Sequence, residues 1–147
     1  SAGQGLFIDA GGVDMALALQ GQGAPGTGSG LFNTFGSPSI NDDGDVAFSA
    51  TVSGGSSASG VFLFDATRLA IHAVALAGQA APGLGGVTFS SFGDPSLNDL
   101  GQIAFIASLS DGSQVIYRAQ EAIPEPASLL LVAAGAMFAA RRRVRRA

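Results

Sequence analysis

Residues 21–50 read GQGAPGTGSGLFNTFGSPSINDDGDVAFSA, and residues 78–107 read GQAAPGLGGVTFSSFGDPSLNDLGQIAFIA. The two align without a gap at an offset of 57, and the alignment extends upstream to Leu17 and Val74. Matching Pro, Asn and Gly over thirty positions marks an internal repeat, which sets the architecture before any single residue does. Further out, GLFIDA at Gly5 echoes GVFLFDA at Gly60, and VIYRAQ at Val115 takes the same place once more after a shorter loop. Two full units are therefore present, entered and left at the same structural beat.

Within each unit the apolar period is two, the period of a strand. Val46, Phe48, Ala50 and Val52 fall on one face, with Ser49, Thr51 and Ser53 on the other. Ile103, Phe105, Ala107 and Leu109 repeat that face, while Met15, Leu17 and Leu19 alternate in the same way as His72, Val74 and Leu76. Between strands, NDDG and NDLG fit type I turns, in which Asn41 and Asn98 cap backbone donors and Gly44 and Gly101 take positive φ. Pro38 and Pro95 belong just outside a strand, where a missing N–H costs little. Three or four short antiparallel strands per unit are expected, and the class is all-β.

The stretches NDDGDVAF and NDLGQIAF resemble the tandem repeats named for an Asn-x-x-Gly-x-x-Ala-Phe core, found in bacterial surface proteins with interchangeable C-terminal anchors. The resemblance covers most of residues 5–120 and implies propeller-blade-like units. A closed propeller takes about four to eight blades, and two would leave edge strands open. The expectation is therefore either the C-terminal part of a longer repeat protein or a smaller sandwich-like unit. Ser1, with no signal-peptide pattern after it, favours the former.

Charge divides the chain in two. Before Pro124 there are ten carboxylates against two arginines, Arg68 and Arg118, a net of −8. From Pro124 onward Glu125 stands against five arginines, a net of +4. The division predicts a repeat body over 1–122 and a separate segment over 123–147. An acidic body repels phosphate backbones, which argues against nucleic acid as a partner. The chain has no cysteine, which excludes disulfides and thiolate metal sites.

The tail reads PEPASLLLVAAGAMFAARRRVRRA. Residues 127–140 carry no charge. As a helix they would rise about 21 Å, short of a hydrocarbon core of about 30 Å. On length alone, a buried core helix or a signal-like segment competes with a spanning one. The run is apolar all round, and five arginines follow whose long stems can reach the headgroups. These features favour a transmembrane-type helix in the lipid bilayer through 127–140, with the basic end cytoplasmic and the body outside.

The order of parts resembles the PEP-CTERM sorting signal of Gram-negative surface proteins: a Pro-Glu-Pro step, a short apolar segment and an arginine-rich end. That resemblance implies a partner, an exosortase, which is a membrane processing enzyme. It implies Pro124, Glu125 and Pro126 as the recognition element, 127–140 as a transient hold in the inner membrane, and Arg141, Arg142, Arg143, Arg145 and Arg146 as the stop. Two prolines keep the backbone extended and out of a helix, as a protease-like site requires.

The body offers little else. NDDGD at 41–45 suggests calcium, but the second copy replaces Asp43 with Leu100 and Asp45 with Gln102, keeping what a turn needs and losing what a cation needs. His72, the only histidine, aligns with Met15 on an apolar strand face and is expected to be packed. GTGSG at 26–30 precedes no helix and reads as a turn, not a phosphate loop. SGGSSASG at 53–60 reads as an exposed loop. No cofactor, metal or catalytic residue is expected. The leading expectation is an exported surface or extracellular-matrix protein without catalytic activity, in contact with exopolysaccharide. The alternatives are a carbohydrate- or protein-binding repeat module, or the non-catalytic end of a larger propeller enzyme.

Overall fold

Alternating side chains and glycine-bearing turns give twelve strands in the computed structural model, which describes residues 3–120 and 137–142. In chain order they are β1 (Gly5–Asp9), β2 (Asp14–Leu19), β3 (Leu31–Phe35), β4 (Ser39–Ile40), β5 (Val46–Ser53), β6 (Ser59–Asp65), β7 (Ala70–Leu76), β8 (Phe89–Phe92), β9 (Ser96–Leu97), β10 (Gln102–Leu109), β11 (Gln114–Gln120) and β12 (Met137–Arg142). All pairings are antiparallel. β1 and β2 form a hairpin, the first sheet runs β3-β5-β6-β7 and the second runs β8-β10-β11-β12. In the first sheet β3 and β4 both pair with β5 and are one edge strand interrupted at Pro38. In the second, β8 and β9 do the same on β10 around Pro95.

Each sheet carries an aromatic quartet in equivalent places. In the first, the rings of Phe48 and Phe62 stack at 5.7 Å, and Phe32 meets Phe62 edge-on at 5.0 Å. In the second, Phe105 and Tyr117 stack at 6.0 Å, and Phe89 meets Tyr117 edge-on at 5.2 Å. The Tyr117 hydroxyl donates to the Pro82 carbonyl at 3.0 Å, and burial pushes its pKa above the ordinary 10.0.

The units stack as layers. The Phe48 face of the first sheet packs on Leu17 and Ala18 of the hairpin, with Leu6 and Ile8 against the same cluster. The opposite face, Ala47, Val61, Leu63 and Ala75, packs on Ile103, Phe105, Val115 and Tyr117 of the second sheet. The first sheet is thus buried on both sides, which explains why Ala47 is buried on the face that alternation assigns to solvent. Among the described residues no layer lies beyond β10, which keeps a clean alternation of buried and more exposed positions.

Two expectations are corrected. The blade-like units do not close into a propeller: both sheets are open, because a hairpin and two sheets are too few to return on themselves. Among the described residues there is also no helix, and none is long and apolar enough to cross a membrane. Of the expected transmembrane-type helix over 127–140, residues 127–136 lie outside the described residues, and Met137 to Ala140 are extended in β12. β12 lies antiparallel to β11, with Met137 opposite Ala119 and Arg142 opposite Gln114. Composition suggested a helix. An open sheet edge offers the same backbone groups a ladder, and tertiary pairing overrides local preference.

Candidate functional site

The densest polar structure lies where the turns of the two units meet. Asn41 closes its turn by accepting at Oδ1 from the amides of Asp43 (3.1 Å) and Asp45 (2.9 Å), while Gly44, at φ +86°, donates to the Asn41 carbonyl (3.1 Å). Asn98 repeats this with Leu100 (3.1 Å) and Gln102 (2.9 Å), and Gly101 sits at φ +72°. The two turns also touch. Asn41 Nδ2 donates to the Asn98 carbonyl at 3.2 Å, and the Asp42 amide donates to Asp99 Oδ1 at 2.9 Å. The four turn residues Asn41, Gly44, Asn98 and Gly101 are thus brought together in one joint between the sheets.

Beside this joint Asp43, Asp45, Asp65, Thr67, Arg68 and Asp99 line a cleft of about 470 Å³. Its carboxylates are engaged in holding loops. Asp45 Oδ1 accepts from the Ala66 amide (2.9 Å) and its Oδ2 from Asn41 (3.2 Å). Asp65 accepts from the amides of Thr67 (2.8 Å) and Arg68 (3.1 Å) and pairs with the Arg68 guanidinium at 3.0 Å. Among the described residues no group of three or more His, Asp or Glu is placed to hold a metal ion. These carboxylates organise the turns around the cleft.

His72 lies on β7 opposite Leu63, half-buried. Burial lowers its pKa below the ordinary 6.5, and Arg68 acts in the same direction, against the carboxylates of Asp65 and Asp45. In GTGSG, the Thr27 hydroxyl donates to the Ala24 carbonyl (2.7 Å) and Ala24 N–H to the Gly30 carbonyl (2.8 Å), so the loop closes on itself.

Sequence reasoning missed Asp94. Its Oδ1 accepts from the Ser37 amide (3.1 Å) and the Ser49 hydroxyl (3.0 Å), tying the second unit to the first. A Cβ on Gly36 would collide with Asp94 Oδ1 and Ser49 Oγ, so Gly36 is required by this contact. The one available signal was that Asp94 stands where the first unit has Ser37.

Of the tail residues, Arg141 and Arg142 end β12 opposite Val115 and Gln114. Pro124, Glu125, Pro126, Arg143, Arg145 and Arg146 lie outside the described residues.

Two family comparisons match the chain. Residues 1–130 match a family of unknown function, DUF7453, and residues 122–146 match the PEP-CTERM protein-sorting motif. The likeness of NDDGDVAF and NDLGQIAF to Asn-x-x-Gly-x-x-Ala-Phe repeats is not confirmed by the family matched over the body. No curated protein and no solved structure matches the chain. The sorting motif marks the protein for export to the cell envelope or surface and for processing by an exosortase. The chain belongs to the DUF7453 family and carries a PEP-CTERM sorting motif over residues 122–146.

Proposed function

We propose that this protein is a non-catalytic component of the bacterial cell surface or extracellular matrix, delivered there by its sorting motif. The observation that carries the reading is the motif at 122–146 behind a folded acidic body. Pro124, Glu125 and Pro126 serve as the recognition element and the arginines after residue 140 as the stop. The turn side chains support a structural role, since Asn41, Asp45, Asp65 and Asp94 are engaged in joining loops and units. Exopolysaccharide is the matrix partner in this reading.

The test is the C-terminal peptide map of the mature protein from an exosortase-bearing host. A chain ending near Pro124–Pro126 is expected, and deletion of those three residues should abolish the processed form. A mature chain still ending in Arg146–Ala147 would overturn the sorting role. Binding of the processed protein to a defined glycan on an array would replace the inert matrix role with a recognition module.

A further inference from the structure

Where the two sheets stack, the face that the first turns toward the second changes character along its length. On β5 the residues of that face are Ala47, Ser49 and Thr51, and they pass from fully buried through half-buried to exposed. The second sheet covers the apolar end, and the layers part over the hydroxyl end. A cleft of about 440 Å³ opens there, and its walls include Thr34, Ser49, Thr51 and Ser59 from the first sheet with Ser91 and Phe92 from the second.

The hydroxyls form a row. Thr34 on β3 lies opposite Thr51 on β5, and Thr51 lies opposite Ser59 on β6, so three side chains stand abreast across three strands. The Thr34 and Thr51 hydroxyls bond each other at 2.6 Å, and the Thr34 amide donates to Thr51 Oγ1 at 3.1 Å. A hydroxyl has one donor and two acceptor sites, so the pair retains capacity toward a ligand. Ser49 donates to Asp94 Oδ1 at 3.0 Å and keeps its acceptor sites. On the second sheet the Phe92 ring is half-buried, held by Phe89 at 5.2 Å and Phe105 at 5.8 Å. Features the fold requires recur in both units, as Asn41 with Asn98 and Gly44 with Gly101 do. This row recurs only in part: Ser91 and Ser108 keep the hydroxyls of Thr34 and Thr51, but Ile106 stands in the place of Ser49 and Gln114 in that of Ser59. The full set of four hydroxyls lies on the face that looks into the cleft.

The lining selects a ligand class. Residues before Pro124 carry a net charge of −8, but none of the described residues that line this cleft is charged. Such walls give an ionic ligand no counter-charge to offset its desolvation. They suit a neutral molecule with hydroxyls to exchange bonds and an apolar C–H face to lay on an aromatic ring. We infer that this cleft binds a neutral hexose unit of a polysaccharide, with Phe92 against the sugar's C–H face and Thr34, Thr51 and Ser59 bonding its hydroxyls. The inference rests on the matrix reading for the source of the ligand and deepens it by giving the polysaccharide a site. Bonds from these hydroxyls to sugar replace bonds to water, so the net gain from each is small and a single site binds weakly.

The test is native affinity electrophoresis of the full chain through gels that hold dextran or galactomannan, both neutral, or alginate, a polyuronate. Retardation in at least one neutral gel, and less in alginate, is expected. Combining Thr34→Val with Thr51→Val removes both members of a bonded pair and should leave the thermal midpoint nearly unchanged. The double variant should raise the apparent dissociation constant about tenfold, through the hydroxyl bonds it can no longer make. Ser53→Val, on the same face of β5 but outside the cleft, should leave it as it was. Phe92→Leu loses the face of the ring and should weaken retention as well, and full retention by that variant would overturn the stacking. No retardation in either neutral gel would overturn the inference, as would stronger retardation in alginate or retention untouched by the double variant. Sorting is not read in these gels. A chain that is trimmed but does not bind sinks only the cleft, and one that binds but keeps its tail sinks only the sorting role.

Discussion

Asn41 and Asn98 hold the same place in successive units, and they are joined directly: the side-chain amide of the first lies 3.2 Å from the main-chain carbonyl of the second, 57 residues on. A repeat in sequence has become a contact in space at the same offset. The Ser37 amide with Asp94 and the Asp42 amide with Asp99 have that spacing as well.

The joint is asymmetric, and substitution should reveal it. Asn41 is buried, serves its own turn and reaches across, whereas the Asn98 side chain closes its own turn at an exposed site and only its main-chain carbonyl accepts the cross-unit bond. Asn41→Ala should lower stability by about 2–3 kcal/mol and Asn98→Ala by about 1 kcal/mol. Urea unfolding of the two variants checks this, and equal losses would mean that the cross-unit bond contributes nothing.

Tyr117 and Phe62 are counterparts, and so are Pro82 and Pro25. Tyr117→Phe removes the hydrogen bond to the Pro82 carbonyl and should cost about 1 kcal/mol. Phe62→Tyr is expected to be nearly neutral if its new hydroxyl meets the Pro25 carbonyl as Tyr117 meets that of Pro82, and a clear loss of stability would show that it does not. Folded Tyr117 has a pKa above 10.0, so its contribution is complete below pH 10.0 and is lost as pH rises through the folded value. Thermal melts of Tyr117→Phe should therefore fall less steeply than wild type above that pH.

His72 predicts the acid limb. Its folded pKa lies below 6.5, mainly because burial disfavours the charged ring. The stability it contributes is present above pH 6.5 and is lost as pH falls through the folded value. Denaturation midpoints should hold steady from pH 8 to 7 and decline from 6.5 toward about 5, where carboxylates begin to titrate. His72→Gln should flatten that decline, and an unchanged slope would remove His72 as its source.

Gly36 and Asp94 should be coupled. Gly36→Ala places a methyl group against Asp94 Oδ1 and Ser49 Oγ and should cost about 1–3 kcal/mol by overpacking. With Asp94→Ala already present, one of the two obstacles is gone and the added cost should shrink. A double-mutant cycle measures the difference, and strict additivity would place the two residues apart.

The strands and turns were legible because period-two alternation and Asn-x-x-Gly spacing are local properties. What lay beyond the sequence was the third dimension of the repeat. Ala47 and Ala104 are the same residue at the same position, yet one is fully buried beneath a neighbouring sheet and the other is exposed. No residue-level signal separates them, since only the presence of a further layer does. The role of Asp94 was hidden for the same reason. In the tail, the apolar run at 137–140 suggested a helix because composition cannot report a vacant strand position beside β11.

That strand position has a consequence in time. β12 lies within the sorting motif, and its ladder with β11 engages backbone groups that a processing enzyme acting on an extended tail would have to handle. Sheet completion and sorting therefore draw on one stretch of chain, and their order matters. A tail handed over before β11 closes its edge is ready for use. A tail already laid down must first be peeled off, residue pair by residue pair. If β12 has to be released before processing, the folding rate of the body would set the time left for delivery.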